Sequence, residues 1–181
     1  MKLIETKIKD LYIIDPRVFG DDRGYFFESF NSQTFQELIG EEVEFVQDNQ
    51  SMSGENIVRG LHFQNPPFAQ GKLVRVIKGE VIDVAVDIRK DSPTYGEHVS
   101  VRLSGENNRM FWIPPGFAHG FSSLEEGTIF SYKCTNYYSK ESEGSVAWDD
   151  PELNINWGVE NPIISEKDQE SPLFRDLKSK F

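Results

Sequence analysis

A β-sandwich or barrel of jelly-roll type is the fold class that this sequence predicts, and three observations carry it. Between Ile57 and Cys134 short runs alternate along the chain, as Ile82, Val84, Val86 and Ile88 do against Asp83, Ala85, Asp87 and Arg89. That period of two sends successive side chains to opposite faces of a strand. Turn residues punctuate the runs at Gly79, Ser92-Pro93, Gly105 and Pro114-Pro115-Gly116. No βαβ rhythm and no internal repeat interrupts the series, and GxGxxG and GxxxxGK[ST] are both absent.

From the N-terminus, residues 3 to 14 give two short strands broken at Lys9-Asp10 and closed by Asp15-Pro16-Arg17. Phe19 to Gly24 reads as a turn-rich loop leading into Tyr25-Phe26-Phe27-Glu28-Ser29-Phe30. Asn31 or Ser32 can cap a short helix over Thr34 to Ile39, with Phe35, Leu38 and Ile39 as its apolar face and Gly40 as its end. In the extended segment that follows, Phe45, Gln47, Asn49 and Ser51 share one side, which is mostly polar and odd for a core strand. Val99, Val101 and Leu103 then alternate with Ser100, Arg102 and Ser104. After Tyr138 the pattern loosens, yet Trp148, Leu153, Ile155 and Trp157 are too apolar to stay solvated, so this segment is expected to pack along the barrel. Ser165-Glu166-Lys167-Asp168 starts a second short helix. The organisation expected is a single domain with N-terminal strands over 1–56, a jelly-roll core over 57–138 and a packed C-terminal segment over 139–181.

Composition narrows the function. A formal charge of −11 repels polyanions, so nucleic acid is not an expected partner, and any phosphate must be held by a local cluster of the 19 basic residues. The one cysteine, Cys134, excludes an intramolecular disulfide framework and fits a reducing compartment. With no apolar leader-like run and no long apolar span, a soluble, cytoplasmic protein without a membrane partner is expected.

Chemistry concentrates in Arg59 to Lys72, RGLHFQNPPFAQGK. His62 is the side chain there whose ordinary pKa, about 6.5, lets it exchange a proton near neutral pH. Arg59 and Lys72 flank it as anchors for phosphate or for a developing oxyanion. Arg59 and His62 differ by an odd number and would face opposite sides of an unbroken strand. Either Gly60 marks a bulge that resets the register, or Arg59 reaches a site shared with a partner subunit. Tyr132 shares a face with Phe130 and Cys134 and should point inward; a phenol is protonated at neutral pH and can deliver a proton. Ser165 and Asp168 stand three apart at a helix start, so Asp168 also suits the first turn by capping and dipole.

Pro114-Pro115-Gly116-Phe117-Ala118-His119 fits the PxGxxH element of the cupin superfamily, a double-stranded β-helix or jelly roll. His62 and Gln64 lie where cupins carry an HxH pair. Gln64 replaces the second histidine, and His62, His98 and His119 are the only three in the chain, so no bound catalytic metal is expected.

Seven landmarks, in order, resemble the dTDP-4-dehydrorhamnose 3,5-epimerases, cupin-like jelly rolls without a metal. They are RGYFFE at 23–28, QDNQS at 47–51, RGLHFQ at 59–64, QGKLV at 70–74, DVAVDIR at 83–89, SPTYG at 92–96 and GFAHGF at 116–121. The resemblance implies a mainly β cupin-type fold with a few short helices, a homodimer, a dTDP-sugar substrate, and no cofactor. It implies epimerisation at C3 and C5 of dTDP-4-dehydro-6-deoxy-D-glucose, giving dTDP-4-dehydro-L-rhamnose. By the same resemblance His62 is the base, Asp168 its partner carboxylate, Lys72 the cation near O4 and Tyr132 the acid. Arg23, Glu28, Gln47, Asn49, Arg59, His119, Glu143 and Lys167 match positions that contact nucleotide, diphosphate or sugar, and Tyr138 matches an aromatic that stacks on the thymine ring. The other readings the residues allow are an epimerase acting at C3 or C5 alone on a related 4-keto sugar nucleotide, a cupin-type carbohydrate-binding module without catalysis, and a metal-dependent cupin enzyme.

Overall fold

Two antiparallel sheets stacked face to face form the body of this computed structural model, which describes residues 1–181. The strands in chain order are β1 (Lys2–Glu5), β2 (Tyr12–Asp15), β3 (Phe19–Asp21), β4 (Gly24–Phe26), β5 (Gln47–Ser53), β6 (Ile57–Gln64) and β7 (Lys72–Lys78). They continue as β8 (Glu80–Asp87), β9 (His98–Ser104), β10 (Met110–Ile113), β11 (Phe117–Ser123), β12 (Thr128–Cys134), β13 (Glu143–Ser145) and β14 (Ile163–Ile164). One sheet runs β1-β2-β10-β7-β12-β5; the other runs β13-β6-β11-β8-β9, with β14 pairing parallel to β6. Apart from β1-β2 and β8-β9 the neighbours within these sheets are non-consecutive, the mark of a jelly roll, so the fold class expected from the alternation is the one found.

The apolar residues sort into three layers. Between the sheets lie Val74, Val76, Phe111, Ile113 and Phe130 from one side and Val81, Ala85, Val101, Leu103, Phe117 and Phe121 from the other. The outer face of the second sheet buries Val58, Leu61, Phe63, Val84, Val86 and Ile88 under the C-terminal segment, which contributes Val146, Leu153, Trp157 and Phe174. The C-terminal tryptophans therefore do pack along the barrel. Strand β8 is covered on both faces, which is why its alternation of valine with Asp83 and Asp87 does not divide core from solvent. The third layer, Ile14, Leu73, Met110 and Trp112, is closed by Phe35 of helix α1 (Ser32–Ile39).

Helix α1 starts and stops for the expected reasons. The Asn31 side chain accepts from the Thr34 amide at 3.1 Å, and Gly40 ends the helix at φ +75°, a left-handed conformation that glycine adopts without steric cost. The turn-rich stretch 19–24 is instead a short hairpin, β3 against β4. Three-residue strands carry too few alternations to be read as strands, and Phe19, Tyr25 and Phe26 are 50%, 61% and 69% exposed. Helix α2 (Glu166–Gln169) is a single turn whose N-cap, Ser165, accepts from the Asp168 amide at 3.2 Å.

Strand β6 resolves the parity of Arg59 and His62. Val58, Leu61 and Phe63 point to the outer layer, whereas Arg59, His62 and Gln64 line the space between the sheets. Two residues, Gly60 and Leu61, therefore stand where a regular strand would need an odd number, and the pairing of β6 with β11 shifts register between His119 and Phe121. A Cβ at Gly60 would lie 2.6 Å from the Gly120 Cα, and one at Gly120 would lie 2.6 Å from the Arg59 carbonyl oxygen. Facing glycines let the two backbones approach closely enough for the irregularity, and the outcome is an imidazole and a guanidinium on one face.

Candidate active site

The polar row Gln47, Asn49 and Ser51 that looked odd for a core strand faces one open end of the space between the sheets. There, a cavity of about 380 Å³ adjoins one of about 300 Å³, and His62, Lys72 and Tyr132 line both. The first is completed by Gln47, Asn49, Gln64, Tyr138 and Glu143, the second by Arg59, His119, Lys167 and Asp168. Side chains from β5, β6, β7, β11 and β12 thus meet on one site, while the apolar layer fills the rest of the interior.

His62 Nε2 lies 2.6 Å from Asp168 Oδ1, and the Gly60 amide donates to Asp168 Oδ2 at 3.2 Å. Ser165 thus caps the helix through the Asp168 amide, and the Asp168 carboxylate is directed to His62 and the Gly60 amide. Burial pushes the Asp168 carboxyl up, but the bonds from His62 and Gly60 outweigh it and hold the group below the usual carboxylate range. An ionised Asp168 requires the proton on Nε2. The Nδ1 lone pair is then the basic atom of His62.

Tyr132 is half-buried, and burial pushes its phenol up, so it is fully protonated at neutral pH. Burial acts oppositely on Lys72, pulling its ammonium down against the attraction of Cys134, Asp83 and Glu143. Its Nζ stands 5.9 Å from the Tyr132 ring centroid and joins none of the chain's ion pairs. A desolvated ammonium without a protein counter-ion is a cost that a fold alone would not keep. Lys72→Met should therefore raise the melting temperature by roughly 2–4 °C, the equivalent of about 1 kcal/mol for a chain of this size, while lowering turnover. Differential scanning calorimetry beside a steady-state assay checks both; a lower melting point would mean that Lys72 holds the fold rather than the reaction.

His119, the cross-strand partner of His62, directs Nε2 to both Asp83 oxygens at 3.0 Å. Burial pulls its pKa down and the Asp83 charge opposes. At the rim, Lys167 Nζ donates to Glu143 Oε1 at 2.6 Å, the Tyr138 hydroxyl donates to Glu143 Oε2 at 3.4 Å, and the Gln47 amide donates to Asn49 Oδ1 at 3.1 Å. The bond to Glu143 raises the Lys167 pKa.

Arg23 and Glu28 are the two anticipated residues that do not join this cavity within one chain. Arg23 projects from the β3–β4 hairpin with its side chain 90% exposed, paired only to Asp21, and Glu28 is exposed beyond the hairpin. In the other direction, Asp83 and Gln64 belong to the site without having been assigned a role from the sequence. Asp83 sits on the same β8 face as Ala85, inside the barrel, and a carboxylate alternating with valines on a strand beside His119 was the available signal. No group of three or more His, Cys, Asp or Glu side chains is gathered in the manner of a metal site.

Comparison with known proteins identifies the family. The family model described as dTDP-4-dehydrorhamnose 3,5-epimerase matches residues 5–176. The dTDP-4-dehydrorhamnose 3,5-epimerase of Salmonella typhimurium is 59% identical over 174 residues, covering 96% of this chain and 95% of that protein. The Legionella pneumophila 3,5-epimerase, crystallised with dTDP-4-keto-L-rhamnose, superposes with a TM-score of 0.94 at 50% identity, over 97% of this chain and 94% of that one. A 3'-monoepimerase of Streptomyces bikiniensis in complex with dTDP-quinovose gives 0.89 at 29% identity, over 96% and 87%. With a matching family model across nearly the whole chain and relatives this similar at full length, the chain belongs to the dTDP-4-dehydrorhamnose 3,5-epimerase family.

Proposed function

We propose that the protein inverts C3 and C5 of dTDP-4-dehydro-6-deoxy-D-glucose to give dTDP-4-dehydro-L-rhamnose, within dTDP-L-rhamnose synthesis. The observation that carries this reading is that one base, one acid and one unpaired cation, His62, Tyr132 and Lys72, line the same two adjoining cavities. Each carbon is flanked by the C4 ketone. Nδ1 of His62 takes the C–H proton, the bonding electrons pass into the C4–O4 system, and the ammonium of Lys72 stabilises the enolate oxygen. The Tyr132 hydroxyl returns a proton to the opposite face, leaving phenolate and imidazolium to be reset by solvent. No electron changes hands, so the reaction as written needs no redox cofactor. Arg59 and His119 serve the sugar and diphosphate side of the cavity, with Gln47, Asn49, Glu143 and Lys167 at the rim and Tyr138 stacking on the thymine.

We further infer a homodimer. The hairpin that carries Arg23 leaves Phe19, Tyr25 and Phe26 uncovered, and a partner that covers them would let Arg23 and Glu28 serve a cavity from which they are separated in their own chain. A reducing, cytoplasmic setting fits the single buried cysteine.

Proton NMR in D2O, with chelator present, tests the reaction. Exchange of both the C3 and C5 protons is expected, with the L-rhamno ketosugar trapped by a reductase. Exchange at one carbon alone would reassign the protein as a monoepimerase, and exchange at neither in folded protein would favour a binding module.

A further inference from the structure

Gln64 stands where cupins place the second metal-ligating histidine, is 5% exposed, and spends its whole side chain on main chain. Its Nε2 donates to the carbonyl oxygens of Phe68 at 2.6 Å and Tyr137 at 3.1 Å, and its Oε1 accepts from the Ser139 amide at 2.8 Å. Two carbonyls and one N–H demand two donors and one acceptor in a single group. A glutamine amide supplies that set, whereas histidine and glutamate do not.

Tyr137 and Ser139 bracket Tyr138. The Tyr138 amide itself donates to Gln47 Oε1 at 3.0 Å. Three consecutive main-chain positions are thus tied to two amide side chains, and a ring that is 57% exposed is aimed through its backbone rather than by packing. Its one side-chain bond, the long contact to Glu143, would leave the ring free to swing if the backbone were released. The third tie, to Phe68, fixes the loop after β6 at the same point.

We propose that Gln64 is a positioning residue that sets affinity for the nucleotide base by holding Tyr138 over it. It acts on nucleotide binding and not on proton transfer. The proposal rests on the reading that Tyr138 stacks on the base, and a double-mutant cycle separates the two.

The probes are dTDP and inorganic pyrophosphate, with dissociation constants measured by calorimetry on the full chain. Gln64→Met is expected to weaken dTDP binding by roughly tenfold, the order of one to two buried hydrogen bonds, and to leave pyrophosphate binding unchanged. KM should rise in parallel, with the change in kcat small beside it, because the bonds of Gln64 run to main chain and none reaches His62, Lys72 or Tyr132. In a Tyr138→Ala background the same change should cost less than about twofold, since the ring it positions is gone. Gln64→Glu, which keeps shape and acceptor but loses both donors, should reproduce Gln64→Met and serves if the methionine variant folds poorly.

Equal weakening of dTDP binding in both backgrounds would overturn the proposal, because Gln64 would then act independently of Tyr138. So would loss of pyrophosphate binding alongside dTDP, which would mark a general collapse of the site, or an unchanged dTDP affinity in Gln64→Met and Gln64→Glu. If Tyr138→Ala alone left dTDP affinity intact, the stacking reading itself would fail, and the proposal with it.

Discussion

His62→Ala is expected to slow exchange of the C3 and C5 protons by at least about 10³-fold while dTDP still binds within a few-fold. The size follows from the usual contribution of a positioned general base, about 10²–10⁴, at the imidazole that both cavities share. Binding survives because the rim network and Tyr138 do not depend on the imidazole. Asp168→Asn should come close to the same loss by a different route. Its amide nitrogen, directed at Nε2, would donate to the ring and force the proton onto Nδ1, so the basic atom would be occupied, the effect seen when a triad aspartate becomes asparagine. NMR exchange rates for both variants, beside dTDP calorimetry, check this, and wild-type exchange in His62→Ala would remove it as the base.

The same carboxylate makes a stability prediction with a definite sign. Its folded-state pKa is depressed, so its contribution is complete above the ordinary carboxylate range, near 4, and is lost as pH falls through the lower folded-state value. The melting-point gap between wild type and Asp168→Asn should accordingly be largest near neutrality and close below about pH 4.

What the sequence makes legible here follows from how local the determinants are. Helix α1 is readable because its stop and start lie within ten residues, in Asn31 and Gly40. The His62 strand is readable because its neighbours in sequence are also its neighbours in chemistry. Periodicity was a weak guide where both faces are buried: in β8 Val84 and Val86 lie under the C-terminal segment and Asp83 in the barrel, all equally enclosed, so the alternation marked Asp83 as facing away from those valines without saying which face is the interior. Parity left Arg59 open for a related reason: Gly60 hints at a bulge, but the close approach that goes with it is to Gly120, sixty positions away, so the local sequence could not choose between a bulge and a shared site. Gln64 was visible only as a missing ligand, because two of the three groups it holds, at Tyr137 and Ser139, belong to a loop more than seventy residues downstream.

Co-assembling Arg23→Ala chains with His62→Ala chains is expected to restore activity that neither has alone. Arg23 is the clearest case of a residue with chemistry but no surroundings: its guanidinium meets Asp21 two residues away and otherwise projects into solvent. The hairpin beneath it has two three-residue strands and three uncovered aromatic rings, too little to be stable or soluble by itself, which argues for a cover from another copy. If Arg23 lies over its partner's cavity, a mixed dimer has one site carrying both lesions and one carrying neither. Random pairing makes half the dimers mixed, so recovery to about a quarter of wild-type activity is the expectation for a two-fold assembly. If Arg23 serves its own chain, every site in the mixture keeps one lesion and nothing is recovered. Light scattering on the same samples distinguishes that result from failure to dimerise, and a monomer with full activity would remove the shared site altogether. The test bears on specificity as well, because a nucleotide anchor delivered in trans ties substrate affinity to assembly: dilution below the dimer dissociation constant should raise KM as it lowers activity.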